Sequence, residues 1–317
     1  MRQGQNPAKR MTSVPKPKKV TVAILNYIPF QSGFYANMLD VLKSCLGSIW
    51  ANTDMEYDLL VFDNGSCTEV KDYLVEMQTQ GKIQYLILSD KNIGKGGAWN
   101  VMLSAAPGEI IAYADNDVYF YPGWLSRSIE VLETFPNAGM VTARPFRTRE
   151  ALYTNTLKWA STDPDVQMKE GQFVPWNTFL EFNLSLGDAE NDIRNVYEST
   201  KDIRVEYKGV TAQVGASHWQ FTTRKEIISR FLPFQMDRPM GQVLQLDELI
   251  NEAGYLRLMV PEPLTMNMSN TLPTELLKEP NQLSRRNNGI VKKFLKFRLV
   301  EGIFMKIYNQ IFRWYNS

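Results

Sequence analysis

Two hydrophobic periods alternate along the first half of the chain. Apolar runs at 19–27 ("KVTVAILNY"), 57–66 ("YDLLVFDNGS"), 83–90 ("IQYLILSD") and 138–146 ("AGMVTARPF") predict strands. Between them, 34–50 ("FYANMLDVLKSCLGSIW") and 67–81 ("CTEVKDYLVEMQTQG") carry apolar residues at helical spacing, the second closed by Gly81. A glycine-rich start leads into a third helix over 91–108, and Pro122 stands near the start of a fourth over 122–136. Strands alternating with helices in this way predict an α/β domain with a mostly parallel central sheet flanked by helices. From about 150 to 210 the alternation fails in an aromatic and acidic stretch, which reads as a cap inserted over the strand ends. It returns in part over 209–231 ("GVTAQVGASHWQFTTRKEIISRF") and 246–260 ("LDELINEAGYLRLMV").

The segment 109–124, "EIIAYADNDVYFYPGW", gives the pattern its first chemistry. Ile110 to Ala114 has too few polar interruptions for a half-exposed strand and reads as one buried on both faces. Asp115 and Asp117 then stand where ligands bind in open α/β sheets, beyond a strand's carboxyl end. Two carboxylates one residue apart can hold a hard divalent cation, and the same residues also suit a simple turn. In "NIGKGGAWN", Gly94, Gly96 and Gly97 fit neither common nucleotide motif. A glycine-rich helix start still offers backbone N–H groups to an anion, or merely permits a tight turn.

Charge adds a division that the net value of +1 hides. Residues 1–19 carry six Lys or Arg and no acid, and residues 285–317 carry eight against Glu301, so the body between them holds about −12. An acidic body argues against nucleic-acid binding, which needs a basic surface on the fold itself. The two cysteines, Cys45 and Cys67, lack metal-binding spacing and suit a reducing compartment. With neither a spanning apolar window nor a secretory leader in the sequence, a cytoplasmic location is expected. Over 289–317, Ile290, Phe294, Phe297, Val300, Phe304, Ile307, Ile311 and Tyr315 form a stripe at helical spacing opposite Lys292, Arg298, Lys306 and Arg313. Lys293 interrupts the stripe, and Leu295 and Leu299 fall outside it. Such a helix can lie on the anionic inner face of a membrane or pack on protein.

Four features in order, "LNY", "VFDNGS", "NIGKGGAWN" and "YADNDVYFYPGW", each following a strand, resemble glycosyltransferase family 2, whose fold is the GT-A arrangement. The resemblance is closest over residues 19–145 and looser over 210–270. It implies a catalytic domain at 19–284, with a nucleotide-sugar half to 145 and an acceptor half after it, between the basic tail at 1–18 and the basic helix at 285–317 that the charge pattern marks. It implies a sugar moved with inversion from a UDP or GDP donor to a hydroxyl of a glycan or lipid-linked acceptor, assisted by Mg2+ or Mn2+. Asn26, Tyr27 and Asp63 would then hold the nucleoside, with Asp63 accepting from the base, although "DNGS" is also good turn chemistry. Asn92, Lys95, Gly96 and Gly97 would lie against the ribose or diphosphate, Asp115 would approach the ribose or sugar, and Asp117 would bind the cation.

Two departures from the family pattern bear on the chemistry. Family members place an adjacent Glu-Asp pair where a late acid deprotonates the acceptor, whereas this chain has Asp247 and Glu248 in the reverse order. With Leu246, Leu249, Ile250 and Ala253 on the buried face of that helix, Asp247 lies on a flank that can face a cleft, and the same acid also suits a helix start. Asn267 stands in "PLTMNMSNT", where relatives supply a metal-binding histidine, and its amide oxygen can take that place more weakly. The single histidine, His218, and Trp219 fall where the acceptor wall is expected, and both also suit a structural role. Trp99, Trp124 and Trp159 read as packing residues. Two rival readings are a sugar nucleotidyltransferase, which would need a basic glycine-rich loop that "LNYIPFQSGF" lacks, and a noncatalytic protein that keeps the fold.

Overall fold

The first half of the chain alternates as its pattern predicts: β1 (Val20–Asn26), α1 (Met38–Asn52), β2 (Tyr57–Asp63), α2 (Thr68–Thr79), β3 (Tyr85–Leu88), α3 (Gly94–Ala105), β4 (Ile110–Asp115), a short β5 (Val118–Phe120), α4 (Trp124–Thr134) and β6 (Ala138–Thr142). The second half adds α5 (Thr154–Thr162), β7 (Gln167–Gly171), α6 (Trp176–Ser185), α7 (Glu190–Ser199), β8 (Asp202–Tyr207), β9 (Val210–Val214), β10 (Gln220–Arg224), α8 (Lys225–Ile228), α9 (Leu244–Glu252), β11 (Leu256–Met259) and β12 (Thr265–Asn267). The computed structural model describes residues 4–235 and 243–273. They fall in one unit, Met1–Pro273; the second unit, Thr274–Ser317, lies outside the described residues, and with it the expected basic amphipathic helix.

One sheet takes ten of the strands in the order β3, β2, β1, β4, β10, β6, β11, β9, β8, β7. β1 pairs in parallel with β2 and β4, β2 with β3, and β6 with β11. The antiparallel pairings of β10, β9 and β7 leave the other seven strands pointing one way, so the sheet is mostly parallel. Register then fixes the site. Asn26 lies opposite Asp63, and Leu25 opposite Asp115, which gathers the carboxyl ends of β1, β2 and β4 at one edge. β12 pairs antiparallel with β5 and sets Asn267 opposite Val118, next to Asp117.

β4 has buried residues from Ile110 to Ala114, as its unbroken apolar run predicts. Its two neighbours differ, with β1 parallel on one side and β10 antiparallel on the other. Behind it, Trp99 of α3, Tyr113 of β4 and Phe221 of β10 share one core. The Trp99 and Tyr113 rings meet edge-on at 5.2 Å, an arrangement that adds about 1 kcal/mol beyond simple burial. Trp99 and Trp124 are fully buried, as expected of packing residues. At the end of α2 the chain turns through Gly81 at φ 74°, with Gly81 N donating to Gln78 O at 2.9 Å and Lys82 N to Met77 O at 2.9 Å, which satisfies the last helical carbonyls.

The segment from about 150 to 210, expected as an inserted cap, contributes strands to the sheet itself. β7 and β8 extend the sheet beyond β9 as an antiparallel ribbon. α6 returns to the body, where the buried Arg144 donates to Thr178 O at 2.7 Å and to Thr265 O at 2.7 Å, tying α6 to β12. An aromatic and acidic composition concealed these strands because β7 is mostly exposed and has no apolar face to show a period.

Candidate active site

A chain of buried amides joins the three strand ends. Asn116 Nδ2 donates to Asn26 Oδ1 at 2.7 Å, and Asn26 Nδ2 donates to Asp63 Oδ1 at 2.7 Å and to Ser66 Oγ at 3.0 Å. Ser66 N in turn donates to Asp63 Oδ2 at 3.0 Å. Asp63 therefore sits in the turn arrangement that "DNGS" favours, fully buried with both oxygens engaged, and in this state it offers no exposed oxygen to a base. Tyr27 is half-buried beside this network, edge-on to Tyr35 at 6.1 Å.

The loop after β2 is fastened to the start of α3. Asn64 Nδ2 donates to Asn92 Oδ1 at 2.9 Å and Ile93 N donates to Asn64 Oδ1 at 2.9 Å, while Gly94 N donates to Asn92 Oδ1 at 2.8 Å. Asn92 Oδ1 thus holds the first turn of α3. Gly65 makes the contact feasible: at φ +86° an added Cβ would lie 2.7 Å from the Lys91 carbonyl carbon. Gly96 and Gly97 form the next positions of α3, with Gly96 buried and Gly97 half-buried. The positive end of that helix dipole is directed to the same edge of the sheet.

Asp115 and Asp117 have unlike surroundings. Lys95 Nζ lies 2.7 Å from Asp115 Oδ2, and Tyr113 Oη donates to Asp115 Oδ1 in a short bond. Burial and the charge of Asp115 push the Tyr113 phenol up, so it remains a donor. Among the described residues no side chain bonds the Asp117 carboxylate. Its pKa is raised to about 7, first by burial and second by Asp115, with Lys95 opposing. Asn267 lies beside it through the bond from Met268 N to Asp117 O at 2.8 Å, although Asn267 Oδ1 already accepts from Ser269 N at 2.9 Å. Among the described residues no cluster of three or more His, Cys, Asp or Glu side chains could hold a metal. The two acids still fit Mg2+ or Mn2+, which keep several waters and bind through one or two carboxylates plus substrate phosphates.

Asp247 is placed differently from its expected helix flank. The buried face of α9 is formed by Leu246, Asp247, Ile250 and Asn251, while Leu249 is 36% exposed and Ala253 is exposed. Polar residues turn inward because partners wait there: Asn251 Oδ1 accepts from Asn155 N at 3.0 Å, and Arg257 Nη2 reaches Asp247 Oδ1 in a short bond. The other Asp247 oxygen lies 2.5 Å from His218 Nδ1. Glu248 is exposed.

His218 and Trp219 occupy the turn before β10, and Asp115 N donates to Trp219 O at 3.0 Å. The Trp219 ring packs with Phe182 of α6 at 5.7 Å and with Phe146 at 6.3 Å, and its Nε1 is buried without a partner among the described residues. Sequence reasoning missed Arg257, Asn116 and Phe182. A lone arginine within the apolar run "YLRLMV" is the signal that could have revealed Arg257, since a charge there needs a buried partner. Nothing local marks Phe182, which acquires its place only through the fold.

Residues 34–182 match the profile of the family described as glycosyl transferase family 2. The uncharacterized glycosyltransferase alr2836 of Nostoc sp. is 29% identical over 123 residues, covering 39% of this chain and 35% of its own length. Glycosyltransferase AglE of Haloferax volcanii is 24% identical over 123 residues, covering 34% and 40%. The chain thus spans well under half the length of these relatives. A solved structure, the mannosyltransferase PcManGT from Pyrobaculum calidifontis in complex with GDP-Man and Mn2+, is 16% identical with a TM-score of 0.45, covering 79% of this chain and 56% of that one. With the ordered strand-end motifs and the profile in agreement, residues 34–182 belong to glycosyl transferase family 2.

Proposed function

We propose that this protein transfers a sugar, with inversion, from a UDP or GDP donor to a hydroxyl of a glycan or lipid-linked acceptor, with a divalent cation. One observation supports this reading above the others: the two acids at the end of β4 are electrostatically separated, Asp115 paired with Lys95 and Asp117 without a side-chain partner among the described residues and at a raised pKa.

An acid held near neutrality by burial and a like charge gains most from an arriving cation. Asp117 would hold Mg2+ or Mn2+, with Asp115 and Asn267 beside it and the donor's phosphate oxygens completing the ligands. When bound, such an ion stabilises the negative charge that develops on a departing diphosphate. The chain's own groups supply the rest. Lys95, in the first turn of α3, adds a second positive charge at the same place, and the positive end of that helix dipole lies with it. The amide chain through Asn26, Asp63 and Asn116 holds the strand ends rigid, so the donor meets a preorganised edge. Trp219, packed with Phe146 and Phe182, offers an aromatic wall on the acceptor side. The His218 and Asp247 pair provides the titratable groups needed to take a proton from the incoming hydroxyl.

The test is release of nucleoside diphosphate from a panel of UDP and GDP sugars with Mg2+, Mn2+ or chelator, comparing wild type with Asp117→Ala. Cation-dependent release that Asp117→Ala abolishes supports the reading. Equal release by both proteins contradicts it.

A further inference from the structure

The late acid favoured by its place in the sequence cannot touch an acceptor where it stands. Asp247 is 2% exposed, and both of its oxygens are taken, one by Arg257 and the other by His218. Arg257 is itself fully buried and donates through Nη1 to Leu152 O and through Nη2 to Ala216 O, both at 2.5 Å. A guanidinium fixed in this way presents its charge to the Asp247 carboxylate as a buried counter-ion. An ionised carboxylate only accepts hydrogen bonds, so His218 Nδ1 must carry the proton that lies between them. With Nδ1 carrying that proton, Nε2 is the ring nitrogen whose lone pair can accept another. His218 is the exposed member of the pair, its side chain 26% accessible against 2% for Asp247. It is also one residue from the backbone bond between Trp219 and Asp115, which sets it at the same end of β4 as the two acids.

We propose that His218 Nε2 is the general base of the transfer and that Asp247 is a positioning residue, itself fixed by Arg257. The role rests on the glycosyl-transfer reading for its substrate. The acceptor O–H gives its proton to Nε2 as the oxygen's electron pair forms the bond to the anomeric carbon. The bond from that carbon to the diphosphate oxygen breaks, and its pair leaves with the nucleoside diphosphate. The imidazolium keeps its Nδ1 proton on Asp247, whose charge stabilises it, and later releases the Nε2 proton to solvent. The base is thereby assembled from two segments, the turn before β10 and the start of α9, and neither alone would provide it.

His218 is the chain's one histidine, so a 15N-histidine spectrum reports it without overlap. The expected spectrum of the wild type is that of the Nδ1–H tautomer, and an Nε2–H tautomer overturns the proposal whatever the turnover. In a donor and acceptor assay, His218→Ala is expected to lower kcat by about 100-fold or more at unchanged donor KM, with partial rescue by added imidazole. Asp247→Asn, checked for folding by circular dichroism, is expected to lower kcat without imidazole rescue, because the ring remains present but misoriented. Turnover by His218→Ala within twofold of wild type sinks this role while leaving glycosyl transfer intact. Failure of the wild type to turn over any UDP or GDP sugar sinks the transfer reading and this role with it.

Discussion

Lys95 Nζ lies 2.7 Å from Asp115 Oδ2, and this contact divides two neighbouring acids into unlike groups. Asp115 is neutralised within the protein, and Asp117 waits for a charge from outside. Lys95→Ala would leave Asp115 without its counter-ion and remove one cation from the proposed phosphate site. We expect nucleoside diphosphate affinity without metal to fall roughly tenfold, in line with the loss of one charge-assisted hydrogen bond. Mn2+ affinity without nucleotide should hold or rise, because the site becomes more negative. Calorimetry with each ligand alone distinguishes the two effects.

The raised pKa of Asp117 gives a dependence on pH whose sign is fixed. The folded protein holds this proton up to about 7, whereas an unfolded chain releases it near 4. Protonation therefore favours folding at low pH, and that contribution is lost as pH rises through about 7. Without metal, Asp117→Asn should melt above wild type at pH 8, and the gap should narrow as pH falls to 5. Because the cation competes with the proton, Mn2+ binding to wild type should weaken as pH falls below 7. Thermal melts and Mn2+ titrations across pH 5–8 check both.

Arg257 and Asp247 form a buried ion pair in which each would be left with an unmatched charge if the other were removed. Arg257→Met should destabilise the protein by about 3–5 kcal/mol in urea unfolding. The double change with Asp247→Leu should restore most of that loss, since it removes both charges together. Failure of the double variant to recover would mean that Arg257 acts through its bonds to Leu152 and Ala216 instead.

Gly65→Ala would place a Cβ 2.7 Å from the Lys91 carbonyl carbon and 2.8 Å from Asn92 N, at a φ of +86° that alanine rarely adopts. The expected loss is roughly 1–3 kcal/mol of stability, together with weaker nucleotide binding, because the Asn64 and Asn92 loop must shift. Equal nucleotide affinity in a destabilised protein would separate the loop from the site.

The half of the fold from β1 to β6 was legible because its elements are local. Each apolar run from β1 to β6 carries its own period, and each candidate residue stands at the end of the run that positions it. Helix α9 was misread because its pattern was scored by polarity alone, with Leu249 assigned inside and Asp247 to the flank. The fold reverses them by bringing His218, from the turn before β10, and Arg257, from the strand after α9, to the Asp247 side. Likewise Phe182 joins Trp219 only after the segment 146–210 has folded back, a placement that no local period records.

Binding of Mn2+ in the presence of UDP or GDP, followed by electron paramagnetic resonance, tests the central claim most directly. The account predicts that nucleotide strengthens Mn2+ binding in the wild type and that Asp117→Ala abolishes the nucleotide-dependent signal. Nucleotide-dependent Mn2+ binding of equal strength in Asp117→Ala would contradict it.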